Sequence, residues 1–559
     1  MAGPKKLNRT KCMITFMLLF MFSISYGGGS GIKLTGELNN ESASDSDLKL
    51  GTLDPQTFYF HPDTDHELQW KIISGSLLPG DLDYEITDFY GVKVDEGTAI
   101  TNDSILVSAT VNLPRGYYQI HFPKPGVKFG MAVLAYLDPT EEPDRYFGIH
   151  AELCHDDRLT YLSDEDQLIR HENLFKTLHR IGIRRVRDRL VIGKFAPRPD
   201  KWSWEGDNFR YDQARPLFHK YDIDFMPNNA VAPNWMRRAD DVIPGSNLDE
   251  NKYPSDLIAY TDTYLKIYER WQNEIETIEI WNEPSGMTYD RLGPLINAMT
   301  YAFKTAGHDV EMVSGVFAGI KRNYAESIKE MKCWEALDMI SFHTYSIPEQ
   351  AEGRTAFYKN TAGGEENPYL PVGISEMGQK YIGGHWPTLE QEYLRSWMIT
   401  GNAVEAKASG NEFFIPFKYL AARFSDGNNQ TQHTLNDIWG TPFLSLASYA
   451  NAIVKLSHKE YLGDLQISDP NLISSRVFGN GTTAVAVLYT SNESVISIDA
   501  PILDVTGMDG RELSLNVDGD VITEDRLVYV TFNQADIQGL INENTPAMDL
   551  YERSKQKNF

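Results

Sequence analysis

The chain has 559 residues, 78 acidic and 52 basic, for a formal net charge of −26. Hydrophobic residues make up 42% and charged residues 23%, the balance of a folded chain, and the length implies about two to four domains. So acidic a protein is repelled overall by phosphate backbones, which excludes nucleic acid as the expected partner.

The N-terminus reads as an address. Lys5, Lys6, Arg9 and Lys11 precede an apolar run over residues 13–24, and Ser23-Ile24-Ser25 supplies small residues for cleavage. The run is shorter than the roughly 20 residues a bilayer requires, and no later stretch is long and apolar enough. A secreted or periplasmic protein is expected, with no membrane partner once residues 1–30, signal and Gly/Ser linker together, are removed. Cys12 precedes the apolar run, unlike a lipoprotein cysteine. The remaining Cys154 and Cys333 make no disulfide framework and read as buried thiols. CxxC, HExxH and EF-hand spacings are missing, so neither a metal nor a cofactor is implied. Nothing in the pattern fixes an oligomeric state.

Residues 31–142 read as an N-terminal β-sandwich. Short segments rich in β-branched and aromatic residues at 57–60, 82–87, 105–111, 117–122 and 131–136 are separated by turns such as Leu78-Pro79-Gly80-Asp81. From residue 143 strands alternate with helical stretches. Strands are expected at 146–150, 184–187, 223–228, 277–281, 311–316, 339–343, 372–376 and 413–417. Apolar residues recur at helical spacing between them, as over 164–181 and 257–275. Eight βα units within residues 143–456 imply an α/β fold, a (β/α)8 TIM barrel. The competing open doubly wound sheet would carry a Gly-rich phosphate loop after its first strand, and none is present. After a closing helix at 441–456, residues 457–545 return to short strands at 474–477, 483–488, 495–499 and 527–532. They form a second, C-terminal β-sandwich-like domain, and 546–559 form a tail.

Catalytic side chains of a TIM barrel sit at the C-terminal ends of its strands. Strand four ends in Trp281-Asn282-Glu283-Pro284 and strand seven in Ser375-Glu376-Met377-Gly378. Two glutamates so placed supply the acid and the carboxylate that flank a scissile glycosidic bond. Taken alone, Asn282-Glu283-Pro284 is equally a surface turn leading into a helix; the second glutamate three strands later favours chemistry.

These two motifs resemble those of clan A glycoside hydrolases, retaining enzymes built on this barrel. Phe147-Gly148-Ile149-His150 is similar to the clan's first strand, Gly182 to Asp188 to its second, and His343-Thr344-Tyr345 to the His-x-Tyr after its sixth. Strands one to three and the last β-domain resemble family 39 and its relatives. Strand eight departs from the pattern: Phe413, Phe414, Pro416, Phe417 and Lys418 stand where many members carry a tryptophan.

The resemblance implies a set of roles. Glu283 is the acid and then the base, Glu376 the nucleophile, and Asn282 the partner of the sugar 2-hydroxyl. Arg187 and Tyr345 hold Glu376 ionised and oriented, and His150 and His343 line the same pocket. A guanidinium at its side keeps a carboxylate charged. Either histidine also reads as a satisfied structural group, and Tyr345 as rim packing.

The implied partner is a poly- or oligosaccharide. Trp235, Trp386 and Tyr419 lie near strand ends, where a ring serves either to stack on sugar or to pack the core. Arg189, Lys194, Arg237, Arg238, Lys321, Arg322, Lys380, Lys418 and Arg423 all follow barrel strands. They read either as subsites for sulfate or uronate groups or as solvated and salt-bridged loop charges. The alternative function is a non-catalytic carbohydrate-binding protein on a barrel scaffold. An aldolase would need a pocket lysine and a metallohydrolase a His/Asp cluster, and neither pattern is evident.

Overall fold

The computed structural model describes residues 49–62, 64–74, 82–101, 106–135, 144–155, 162–206, 209–237, 252–284, 287–362, 370–380, 386–420, 433–523 and 527–542. The expected signal and linker, the expected tail, the 78–81 turn and strand positions 105 and 136 lie outside them.

Eight strands, each followed by a helix, form the centre. They are β1 Gly148–His150, α1 Asp164–Arg180, β2 Arg185–Arg189, α2 Tyr211–Lys220, β3 Asp224–Asn228, α3 Leu257–Trp271, β4 Thr277–Glu279, α4 Tyr289–Ala306, β5 Glu311–Ala318, α5 Arg322–Glu330, β6 Met339–Thr344, α6 Ala351–Ala362, β7 Val372–Met377, α7 Leu389–Ala408, β8 Phe414–Pro416 and α8 Leu444–Leu456. Every neighbouring pair from β1–β2 to β7–β8 is parallel. Parallel bridges Phe147–Phe414 and His150–Phe417 close β8 onto β1. The eight strand segments expected from the sequence are therefore the eight staves of a closed TIM barrel.

Side chains alternate along a strand, so barrel residues two apart stack in layers inside it. An apolar cluster of Met226, Val313, Met339, Phe413 and Ile415 fills part of the interior. Gly373 makes room for it, since a Cβ there would lie 2.4 Å from the Phe413 ring. Two residues further along β3, β5 and β6 come Asn228, Gly315 and Ser341, and the same step along β2 and β4 carries Arg187 and Glu279. A charged layer thus rests on an apolar plug.

The helices start where the sequence supplies caps. Ser163 Oγ accepts from Asp166 N–H at the start of α1, with Asp164, Glu165 and Asp166 in its first turn against the helix dipole. Thr388 and Gln391 form a reciprocal capping box on α7. This long helix is buried on most of its faces because β-structure packs on it from both sides. Near its start, Glu392 accepts from Gln119 Nε2 at 3.2 Å and from Leu444 N–H at 2.7 Å. Near its end, Glu405 takes two bonds from Arg476, at 3.0 and 2.7 Å.

Gln119 belongs to the N-terminal β-structure. Its two sheets are joined by strand Lys93–Thr101, which pairs with Leu82–Asp88 along its length and with Leu106–Val111 at its end. Trp70 is buried between the sheets against Phe122, at a centroid distance of 4.9 Å, and Phe58, at 5.7 Å. Arg476 belongs to the C-terminal β-structure, a five-stranded antiparallel sheet ordered Glu460–Asp464, Leu472–Gly479, Thr483–Thr490, Leu527–Asn533, Asp504–Thr506. Strands His66–Ser74 and Lys93–Thr101 were not among the expected segments. Glu67, Gln69 and Lys71 alternate with Leu68, Trp70 and Ile72 in the first, so it has no continuous apolar run, and the second carries Asp95, Glu96 and Gly97 on a largely exposed strand.

The N-terminal sheet presses on the barrel at Gly130, where a Cβ would lie 1.6 Å from the Pro442 carbonyl oxygen. A methyl group there forces backbone apart. Gly130→Ala should cost about 2–3 kcal/mol in denaturant unfolding, and an unchanged midpoint would mean that the two surfaces are not pressed together.

Candidate functional site

Arg187 is the centre of the site. Its side chain is 1% exposed, and each of its five N–H groups has an acceptor. Nε donates to Glu279 Oε2 at 2.6 Å. Nη1 donates to Glu376 Oε2 at 3.1 Å and to His150 Nδ1 at 3.0 Å. Nη2 donates to Asn282 Oδ1 and, at 3.5 Å, to His343 Nε2. The Asn228 amide, turned with its oxygen toward the guanidinium, accepts as well, at 3.1–3.2 Å.

This arrangement assigns both imidazole tautomers. His343 accepts at Nε2, so its proton is on Nδ1, which lies 2.9 Å from Glu283 Oε1 and 3.7 Å from Glu376 Oε2. His150 accepts at Nδ1 and carries its proton on Nε2. Burial pushes the His150 pKa down to about 4, with Arg187 acting in the same sense and Glu152 against it, so the ring is neutral at ordinary pH.

The two glutamates sit differently. Glu376, near the end of β7, is buried, and Tyr345 O–H donates to its other oxygen, Oε1. Burial alone would raise its pKa. The electrostatic pull of His343, Arg187 and His150, with the Tyr345 bond, outweighs that and holds it at about 2. Glu283, beyond the end of β4, keeps 37% of its side chain exposed. Its backbone is left-handed, at φ 44°, a conformation that a non-glycine residue adopts only where its surroundings enforce it. Asn282 N–H, anchored on the Asn229 carbonyl at 2.8 Å, is part of that enforcement. Glu283, His343 and Glu376 offer oxygen and nitrogen atoms within 4.8 Å of one another. Of the described residues these are the group with the spacing to share a metal ion, but His343 Nδ1 carries a proton here and is spent as a donor.

The structure therefore gathers Glu283, Glu376, Asn282, His150, Arg187, His343 and Tyr345 into one connected network. Lys418 stands apart from it. Its buried ammonium binds Glu152 at 3.0 Å, and Arg189 reaches the same carboxylate at 3.6 Å. Trp235 is half-buried and donates its indole N–H to the Ala196 carbonyl at 2.9 Å. Trp386 packs edge-on against Phe443 at 4.9 Å. Tyr419 is wholly buried and so presents no face to a ligand.

Two of the remaining described cations are engaged elsewhere. Arg322 pairs with Glu326 at 3.6 Å and lies over Phe357. Arg237 donates to the Asn234 side chain. Arg238 and Arg423 lie outside the described residues. With Lys418 and Arg189 held by Glu152, the solvated and salt-bridged reading describes these charges better.

Several members of the site were not singled out in the sequence: Glu279, Ser341, Asn228, Glu152 and His433. Ser341 Oγ donates to Glu279 Oε1 at 2.7 Å. His433 packs edge-on to Tyr345 at 5.7 Å, and burial lowers its pKa to about 4. The signal for Glu279 was present, a lone acid within the buried-strand run Thr277-Ile278-Glu279-Ile280.

No protein-family model matches the sequence, and no characterised protein matches it by sequence. Solved structures do match. A family 39 glycoside hydrolase from the gut symbiont Bacteroides cellulosilyticus WH2 superposes with a TM-score of 0.67 over 87% of this chain and 100% of its own, at 14% identity. A family 39 β-xylosidase from Caulobacter crescentus has a TM-score of 0.47 over 71% of this chain and 98% of its own, also at 14% identity. A family 30 endoxylanase from Clostridium papyrosolvens C71 has a TM-score of 0.48 over 70% and 97%, at 11% identity. The structural neighbours are thus clan A glycoside hydrolases of families 39 and 30, and at such identities the likeness is one of fold. No helix among the described residues is long and apolar enough to cross a membrane.

A depressed carboxylate pKa stabilises the fold above the unfolded value and stops doing so as pH falls through the folded one. For Glu376 the ordinary value is 4.5 and the folded value about 2. The stability difference between wild type and Glu376→Gln should therefore change in favour of Gln as pH falls from about 5 to about 2. A difference that is flat with pH would mean that Glu376 is not held ionised.

Proposed function

We propose that this chain is a retaining glycoside hydrolase acting on a neutral poly- or oligosaccharide, with Glu376 as nucleophile and Glu283 as acid/base. The observation that carries the reading is the pair itself. Two carboxylates from the ends of β4 and β7, 93 residues apart in sequence, bring oxygen atoms within 4.8 Å. Retaining enzymes hold the pair about 5–5.5 Å apart, and inverting ones leave about 6.5–9.5 Å for a water molecule.

The environments divide the labour. Glu376 is buried and ionised, and its oxygens are aimed by Arg187 and Tyr345. It attacks the anomeric carbon as the glycosidic C–O bond breaks. Glu283 is half-exposed and hydrogen-bonded to His343, and it gives its proton to the leaving oxygen. Glu283, now a carboxylate, takes a proton from the water that releases the sugar, and the electron pair of the breaking ester bond returns to Glu376. Asn282, fixed by Arg187, lies beside Glu283 and binds the sugar 2-hydroxyl.

One observation supports a neutral substrate: Arg187 and Lys418, cations at the site, are already matched by carboxylates. The leader-like sequence of residues 1–30 supports export. The composition shifts near residues 142 and 456 support three domains, at 31–142, 143–456 and 457–545.

The test is stereochemical. Polysaccharides and aryl glycosides are screened, and proton NMR follows the first-formed anomer of the hydrolysed product. Retention is expected, and inversion, or inactivity across the screen, would overturn the reading. Glu376→Ala should abolish turnover on every glycoside. Glu283→Ala should still be glycosylated by substrates with good leaving groups, stall there, and recover about 10²-fold or more with added azide. Equal loss on all substrates without rescue would mean that the acid/base is mislabelled.

A further inference from the structure

Glu279 is fully buried, carries a charge inside a barrel, and has no role in the double displacement described above. It lies four residues before Glu283, inside the barrel, and binds the Nε edge of Arg187 at 2.6 Å. Glu376 binds the Nη1 group of the same guanidinium at 3.1 Å. Arg187, Glu279 and Glu376 therefore share one net negative charge over an apolar plug, where screening by solvent is weak.

That charge changes during catalysis. When Glu376 forms its ester with the sugar it loses its negative charge. Without Glu279, Arg187 would then be a buried cation with no counter-ion. With Glu279, the glycosyl-enzyme has a matched Arg187–Glu279 pair. Resting on the retaining reading, we infer that Glu279 is a positioning residue that balances Arg187 in the covalent intermediate. It thereby keeps Arg187 from over-stabilising the resting nucleophile. Glu279 touches no reacting atom and acts through the guanidinium alone.

The consequence is a pair of rate changes of opposite sign. Replacing Glu279 with Gln keeps the shape and removes the charge. Forming the glycosyl-enzyme then leaves an unmatched cation, so glycosylation slows. Hydrolysing it restores the Arg187–Glu376 pair, so deglycosylation quickens. Simple damage to the site would slow both. The resting Glu279→Gln variant holds a neutral Arg187–Glu376 pair, so it leaves no orphaned charge to unfold it.

The probes are 2,4-dinitrophenyl 2-deoxy-2-fluoroglycosides of xylose, glucose and galactose, whose leaving group needs no proton. The sugar that inactivates the wild type is used throughout. Formation of the covalent adduct is followed by mass spectrometry and dinitrophenolate release, and its decay by recovery of activity. Glu279→Gln should be labelled about ten- to a hundredfold more slowly and should reactivate faster by a comparable factor. Ser341→Ala, which keeps Glu279 but removes the positive end of a dipole beside it, should shift both rates slightly in the reverse directions. Slowing of both steps in Glu279→Gln, or shifts of the same sign in both variants, would overturn the inference. Failure of every probe to label the wild type would instead overturn the retaining mechanism.

Discussion

The site depends on the five N–H groups of one buried arginine. A guanidinium offers donors in a fixed plane, and Arg187 sits where every one finds an acceptor, from β1, β6, β7 and from β4 and its end. This geometry does more than hold side chains still. It fixes which nitrogen of each histidine bears the proton, and so decides that His343 presents a donor to Glu283. It also supplies the charge that keeps Glu376 a carboxylate despite its burial. A lysine at the same place would offer three donors on a flexible stem and would define neither the plane nor the tautomers.

The rest of the barrel makes that arginine tolerable. Burying a cation costs several kcal/mol unless it is paired and hydrogen-bonded, and the two carboxylates meet that condition from opposite edges of the guanidinium. The apolar cluster of Met226, Val313, Met339, Phe413 and Ile415 closes the barrel beneath. It keeps water from one side of the charged layer and so strengthens each interaction within it. The flanking β-structures bear on the same problem at longer range. Both grip α7 through buried carboxylates, and α7 packs behind β7, the strand that carries Glu376.

The barrel was readable because most of its strands are apolar runs set between helical stretches, a pattern that both-faces burial imposes on parallel sheets; β2, with Arg185, Arg187 and Asp188, is the exception. The glutamates were readable because a barrel places function at strand ends. What escaped the sequence is what depends on the third dimension. Glu279 stands in a buried strand, where an acid is unexpected, but its partner is 92 residues away on β2 and no local pattern joins them. Lys418 was correctly placed at the end of β8. Glu152, which holds it, lies 266 residues earlier, and without that partner the lysine reads as a free cation. Strands His66–Ser74 and Lys93–Thr101 were missed for different local reasons: the first alternates Glu67, Gln69 and Lys71 with Leu68, Trp70 and Ile72, a strand pattern without the apolar-rich run that marked the others, and the second is largely exposed and carries Asp95, Glu96 and Gly97.

The same distinction explains why charge misleads about substrate. A chain of net charge −26 with nine basic residues after its barrel strands invites the idea of a focused positive cleft. Focusing requires cations that face the cleft without partners. Here Lys418, one of the nine, and Arg187, at the centre of the site, are neutralised within a few ångströms by Glu152, Glu279 and Glu376. An anionic sugar would have to compete with carboxylates that are already in place and already desolvated. A neutral sugar needs only hydrogen-bonding groups and meets no such competition. Arg187 and Lys418 are structural counter-ions for neighbouring carboxylates, and the number of cations says little about the ligand.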